Sequence, residues 1–188
     1  MTPYRVLREF MQVFDPDATI VTHDSGSPRD QIVPFYRAGE PGSYLGWGKS
    51  HALGGGLGLI MGAKLAAPQK HCVQFLGDAA FGMTGLDVET AVRARIAVTF
   101  VVLNNSTMAI EIPSLKESHE RYRARDIGGD YAGIAGALGV DVRRVERPDE
   151  LAPAFEYAKR VTSEGRCVLL EMITSAETAF ASRRVLSE

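Results

Sequence analysis

Cys72-Val73-Gln74-Phe75-Leu76-Gly77-Asp78-Ala79-Ala80 and, further on, Val98-Thr99-Phe100-Val101-Val102-Leu103-Asn104-Asn105 decide how this chain folds. In each stretch an apolar run of strand length ends in a polar residue. Asp78 lies just past the first run and Asn105 just past the second, 27 residues later. Read as parallel strands, the two runs deliver both side chains to the same edge of a sheet, where open α/β folds bind ligands. A carboxylate and a carboxamide so placed are hard oxygen donors. Mg²⁺ favours near-octahedral oxygen coordination and completes its shell with waters and phosphate oxygens. Asp78 and Asn105, with one backbone carbonyl, therefore leave room for a diphosphate. The competing account of Asp78 is a local helix cap, and Asn104-Asn105 at the next strand end weighs against it.

Outward from these strands, helical and extended segments alternate. Val6, Leu7, Phe10, Met11 and Phe14 recur at helical spacing and predict a helix over 3–14, stopped by Asp15-Pro16. A short strand follows at Thr19–Thr22, then a loop at Asp24–Pro28 and a helix to about Tyr36. The glycine-rich stretch 46–58 opens a helix ending near Ala66. A helix is expected from Thr84, with Thr84-x-x-Asp87 as its capping box, to about Arg95. Further segments are a helix over Tyr131–Leu138, a strand at Val142–Val145, a helix over Asp149–Val161 and a strand at Cys167–Ile173. This alternation predicts one α/β domain of three layers over residues 1–188, a mostly parallel sheet with helices on both faces, and a loose tail at 176–188.

At 188 residues the chain can bury a sizeable core. Lys and Arg number 21 against 23 Asp and Glu, a balance that favours neither nucleic acid nor a membrane surface as partner. Cys72 and Cys167 both fall in expected strands and read as reduced core residues, in keeping with a cytoplasmic protein. No apolar window approaches a membrane span, and Met1–Arg5 lacks the apolar stretch of a signal peptide.

The words LGDAAFGMTGLDVETAV and VVLNN resemble the thiamin diphosphate (ThDP) motif of acetolactate synthase and its decarboxylase relatives. Leu53-Gly54-Gly55-Gly56-Leu57-Gly58 and Met61-Gly62-Ala63 are similar to the family's M-G-F-G-L-P-A-A-I-G-A block, and the resemblance spans residues 19–175. Ala79 departs from the usual glycine, as synthase-like members tolerate. The resemblance implies a ThDP-binding fold and a ThDP- and Mg²⁺-dependent enzyme that makes or breaks a C–C bond beside a carbonyl. Its substrate would be a 2-oxo acid or an acyl compound.

By the same resemblance the metal ligands are Asp78, Asn105 and the carbonyl of Thr107, whose side chain is then less constrained than its backbone. Asn104 is by comparison either a turn residue or one that supports the ligands from behind. Gly77, Ala79, Ala80 and Met108 flank the cofactor, and Ser25-Gly26-Ser27 matches the loop that donates to the diphosphate. Ser27 also reads as a cap for a helix opened by Pro28. Leu53 matches the large apolar side chain that bends ThDP, although a core leucine would look the same. At His51 two roles stay open: a backbone carbonyl that accepts from the aminopyrimidine, or an imidazole acting as acid or base. Asn105-Ser106-Thr107-Met108-Ala109-Ile110-Glu111 is similar to the decarboxylase pattern N-N-x-x-x-x-I-E, which makes Glu111 either a proton carrier or a surface glutamate at a helix start. His23 and Asp24 lie beside the diphosphate loop, within reach of substrate. Residues 117–126, ESHERYRARD, read as a solvated loop whose Arg121, Arg123 and Arg125 could otherwise meet an acidic substrate.

Two nucleotide motifs are lookalikes. Gly46-Trp47-Gly48-Lys49-Ser50 lacks the first glycine of a P-loop, since position 43 is Ser43, and Leu59 stands where G-x-G-x-x-G needs its last glycine. The family also requires a second, pyrimidine-binding domain carrying an activating glutamate, and this chain has no room for it. The chain is then either one subunit of a split enzyme or the carboxyl-terminal part of a longer one; Met1 and the α/β layout favour a natural split subunit that pairs with a pyrimidine-domain subunit and self-associates into a hetero-oligomer. The competing class is a non-catalytic ThDP-binding module that stabilises or regulates a partner.

Overall fold

The computed structural model describes residues 1–46 and 52–180. Six strands form one sheet: β1 (Thr19–His23), β2 (Tyr44–Leu45), β3 (His71–Gly77), β4 (Thr99–Asn104), β5 (Asp141–Val145) and β6 (Val168–Ile173). Their order is β2-β1-β3-β4-β6-β5 and every pairing is parallel. Eight α-helices accompany them: α1 (Pro3–Val13), α2 (Ser27–Ile32), α3 (Gly55–Ala66), α4 (Asp78–Thr84), α5 (Val88–Arg93), α6 (Lys116–Tyr122), α7 (Tyr131–Ala137) and α8 (Leu151–Ser163). The three-layer α/β expectation is met.

Alternation along the strands builds two cores. Cys72, Leu76, Phe100, Val102 and Leu169 point to one face, where Leu57 and Ile60 of α3, Phe81 of α4 and Ala135 of α7 cover them. Val73, Phe75, Val101, Leu103, Leu170 and Met172 point to the other, covered by α1, Ile32 of α2 and Phe155 of α8. Helix α1 starts where Thr2 Oγ1 accepts from Arg5 N at 3.2 Å, with Pro3 in its first turn. Its Phe10 ring lies 5.1 Å from Phe75 and 5.7 Å from Phe155, both edge-on, contacts worth about 0.5–1.5 kcal/mol each beyond the area they bury.

The strand order creates a crevice between β1 and β3. From β1 the chain turns into α2 on one face, and from β3 it turns into α4 on the other, so the two loops diverge and leave a gap at the strands' carboxyl ends.

Several boundaries differ from expectation. Helix α4 begins at Asp78, directly after β3, and a 3₁₀ turn at Gly85–Asp87 separates it from α5. Thr84 precedes that 3₁₀ turn at the cap position but its side chain makes no capping bond: its hydroxyl donates at 3.3 Å to both Ala80 O and Gly54 O. Helix α2 stops at Ile32, and only turn hydrogen bonds continue to Tyr36, because Pro34 lacks the donor needed to extend it. Gly26, not Ser27, holds the cap position of α2, and no side chain caps it. Helix α6 occupies part of the segment expected to be a solvated loop, and β2 was not foreseen. Residues 176–180 carry no regular structure, and 181–188 lie outside the described residues.

Candidate functional site

Three chain segments and one side chain enclose a cleft with about 440 Å³ of empty space, its open mouth included, at the β1/β3 crevice. One wall is Ser25, Gly26 and Ser27, entering α2. A second is Gly77, Asp78, Ala79 and Ala80, where β3 runs into α4. The third is Asn105, Thr107 and Met108, beyond β4. Leu53 reaches in from the turn before α3. These residues come from four separate stretches of the sequence, and the fold brings them to one place. Pro28, Gln31, Leu103, Ala109 and Ile110 complete the lining and were not foreseen. Gln31 is 2 % exposed, a polar side chain one helical turn along α2 from Ser27.

Asp78 is the first residue of α4 and is 2 % exposed. Its Oδ1 accepts from Ala79 N at 2.9 Å, and its Oδ2 accepts from Asn105 N at 3.2 Å and Ser106 N at 2.7 Å. The carboxylate thus joins the ends of β3 and β4. Burial raises its pKa above the usual carboxyl value despite these donors. Ser106 adopts φ +58°, a left-handed conformation uncommon outside glycine. Asn105 Oδ1 accepts from Thr107 N at 3.1 Å, so the turn folds back on itself.

Residues 123–127 stitch onto this turn. Arg125 O accepts from Met108 N at 2.9 Å and from Thr107 Oγ1 at 3.1 Å, and Ile127 N donates to Ser106 O at 3.1 Å. The Thr107 side chain makes this one hydrogen bond, whereas its backbone makes two, from N to Asn105 Oδ1 and from Ala109 N to its carbonyl at 2.9 Å. Arg125 is engaged as well, donating from Nη1 to Ile112 O at 3.1 Å.

Asp24 has a structural task. It is fully buried: Oδ1 accepts from Ser25 N (2.8 Å) and Gly54 N (2.9 Å), and Oδ2 from Gly56 N (3.2 Å) and Gln74 Nε2 (3.3 Å). These bonds tie the loop after β1 to the glycine turn that presents Leu53. Burial again raises its pKa, outweighing the backbone donors. His23 is 4 % exposed, its Nδ1 lies 3.0 Å from Asp24 O, and burial lowers its pKa. Neither residue lines the cleft.

Glu111 ends the 3₁₀ turn Ala109–Glu111, half-buried and one residue past the lining contributed by Ile110. His51 lies outside the described residues. Cys72 and Cys167 are free and buried, and burial pushes both thiols up to about 11.

Among the described residues, no three His, Cys, Asp or Glu side chains group so as to hold an ion by themselves. The Asp78–Thr107 end of the cleft instead offers a mixed oxygen set: the Asp78 carboxylate, the Asn105 carboxamide and the carbonyls of a tight turn. That chemistry fits a hard cation sharing its shell with a bound anion. Such a cleft at the switch point of a parallel sheet is the mark of a cofactor-binding α/β domain.

Over residues 24–172 the chain matches the thiamine pyrophosphate enzyme, C-terminal TPP binding domain, and it belongs to that family. It is 31 % identical over 98 % of its length to a probable acetolactate synthase of Mycobacterium bovis. Similarity is comparable to the sulfoacetaldehyde acetyltransferase of Alcaligenes xylosoxydans (30 % identity over 97 % of this chain) and to the acetolactate synthase of Bacillus subtilis (30 % over 89 %). The chain spans about a third of the length of these relatives, 34 %, 30 % and 29 % in turn.

Two structural residues escaped sequence reasoning. Glu171 and Gln74 are polar residues inside otherwise apolar strands, both fully buried. The anomaly was visible in VLLEMI and CVQFL, but their partners were not.

Proposed function

We propose that this chain is the diphosphate-binding part of a ThDP- and Mg²⁺-dependent enzyme of the acetolactate synthase type, acting on a 2-oxo acid or related acyl compound. The observation carrying this reading is the Asp78 carboxylate bonded across to the Asn105–Ser106 turn, in the same cleft as Leu53 and the Ser25–Ser27 loop. Asp78, Asn105 and the Thr107 carbonyl would hold the cation. The backbone at Ser25–Ser27 and at the start of α4 would meet the diphosphate, where the helix dipole favours negative charge, although Ser25 N and Ala79 N already donate to Asp24 and Asp78. When bound, ThDP supplies the electron sink for making or breaking a C–C bond beside a carbonyl. Leu53, fixed by Asp24 through Gly54, would orient the cofactor between its two ends. Ile110, Ala109 and Leu103 give the cleft an apolar side that limits water around the reacting group. The residues named here form one side of a site, and we assign the other to a pyrimidine-binding domain on a partner subunit. The two buried thiols are in keeping with a reducing compartment.

Calorimetry tests the cofactor reading. Asp78→Ala removes the anionic donor and should abolish measurable ThDP binding in the presence of Mg²⁺. Unchanged ThDP affinity in that variant would sink the assignment.

A further inference from the structure

Glu171 is the one charged residue of β6, and its side chain is fully buried. A carboxylate in an apolar strand is costly unless donors surround it. Here they do. Oε1 accepts from Asn104 Nδ2 at 2.7 Å and from Arg144 Nη1 at 3.3 Å, and Oε2 accepts from Ala132 N at 3.0 Å. The Asn104 contact has a directional consequence. A carboxylate only accepts, so the Asn104 NH₂ must face Glu171 and its carbonyl must face the opposite way. That carbonyl accepts from Ser106 N at 3.0 Å and from Ser106 Oγ at 3.3 Å. The same Ser106 N donates to Asp78 Oδ2, and Ser106 is the residue held at φ +58°.

We propose that Glu171 is a positioning residue for the cation and diphosphate anchor: by orienting the Asn104 carboxamide it holds the Ser106 turn, and through it Asp78 and Asn105, in a ligating arrangement. The inference rests on the ThDP and Mg²⁺ reading above. Arg144, half-exposed on β5, balances the buried charge without touching Asn104. A group that only filled the core and satisfied Ala132 N would affect stability alone. One that orients the turn also sets how much cation the site needs.

The experiment is a calorimetric titration of ThDP into the full chain at stepped Mg²⁺ concentrations, alongside thermal unfolding, for wild type, Glu171→Gln, Asn104→Ala, the double variant and Arg144→Ala. Glu171→Gln keeps the size but sets an NH₂ against either Asn104 or Ala132 N–H. Glu171→Gln and Asn104→Ala should each raise the half-saturating Mg²⁺ about 10- to 100-fold, the usual scale for residues behind a metal ligand. The double variant should be no worse than Asn104→Ala, because both changes break one chain of contacts. Arg144→Ala should lower the unfolding temperature but keep the wild-type Mg²⁺ requirement. In Glu171→Gln and Asn104→Ala, lower unfolding temperatures with a wild-type Mg²⁺ requirement would overturn the proposal, as would additive losses in the double variant. Should Glu171→Gln not fold, Asn104→Ala decides, and an unchanged Mg²⁺ requirement there overturns the proposal. No Mg²⁺-dependent binding by the wild type itself would fell the cofactor reading, and this inference with it. That failure is distinct, because it appears before any variant is compared.

Discussion

Asp24, behind the cleft, and Asp78, in its wall, are both buried, and in both burial raises the carboxyl pKa against the pull of backbone donors. The effect of Asp24 on stability has a definite sign. A carboxyl whose folded pKa is raised contributes stability that is fully present below its unfolded value, near 4, and lost as pH rises through the folded value. Asp24→Asn stays neutral throughout and should escape that loss, although its NH₂ opposes a donor at Gly56 N or Gln74 Nε2. Urea unfolding of both proteins between pH 4 and pH 8 should show the gap moving in the variant's favour as pH rises. A flat gap would mean that the bonds from Ser25, Gly54 and Gly56 cancel the burial cost. The positions of Asp78 and Asn105 at the ends of neighbouring strands were legible in the sequence, because a polar residue just after an apolar run implies a strand end. The roles of Asp24 and Glu171 were not, because their partners lie 30 and 67 residues away, at Gly54 and Asn104.

The helices that frame the cleft depend on close approaches that periodicity does not encode. Gly54, at the cap of α3, has φ +93°, and a Cβ there would overlap the Thr84 side chain. Thr84 in turn donates to Gly54 O, so α4, which carries Asp78, and the turn that carries Leu53 lock together. Gly54→Ala should therefore cost about 1–2 kcal/mol for the left-handed backbone alone, with the overlap adding to it. Denaturant unfolding measures this, and a loss below about 0.5 kcal/mol would show that the turn is not constrained as described. The same contact explains the misplaced boundary. Thr84 looked like a cap because Asp87 follows at the right spacing, but tertiary contact with Gly54 took its hydroxyl. Long amphipathic elements such as α1 and α8 were legible from their apolar spacing. Helix α6 was not: none of its residues is buried, so no apolar stripe marks it.

At the scale of the whole molecule, the function proposed above makes the cleft one side of a site that a partner subunit would complete. The isolated chain should bind ThDP weakly and turn over no 2-oxo acid, and it should gain activity when mixed with a chain carrying the pyrimidine-binding domain. Steady-state assays of each chain alone and of the mixture test this, and robust decarboxylation by the single chain would contradict it. By itself the sequence determined the class of fold and the placement of Asp78 and Asn105 at two strand ends, because alternation and strand-length apolar runs are local properties that survive without neighbours. The tertiary structure alone decided how the site is held. The β1/β3 crevice arises from strand order, the Asp24 clamp from the packing of α3 on β1 and β3, and the Glu171–Asn104–Ser106 chain from the pairing of β4 with β6. Each joins residues distant along the chain, and a hydrogen bond between such residues exists only once the sheet has set them side by side.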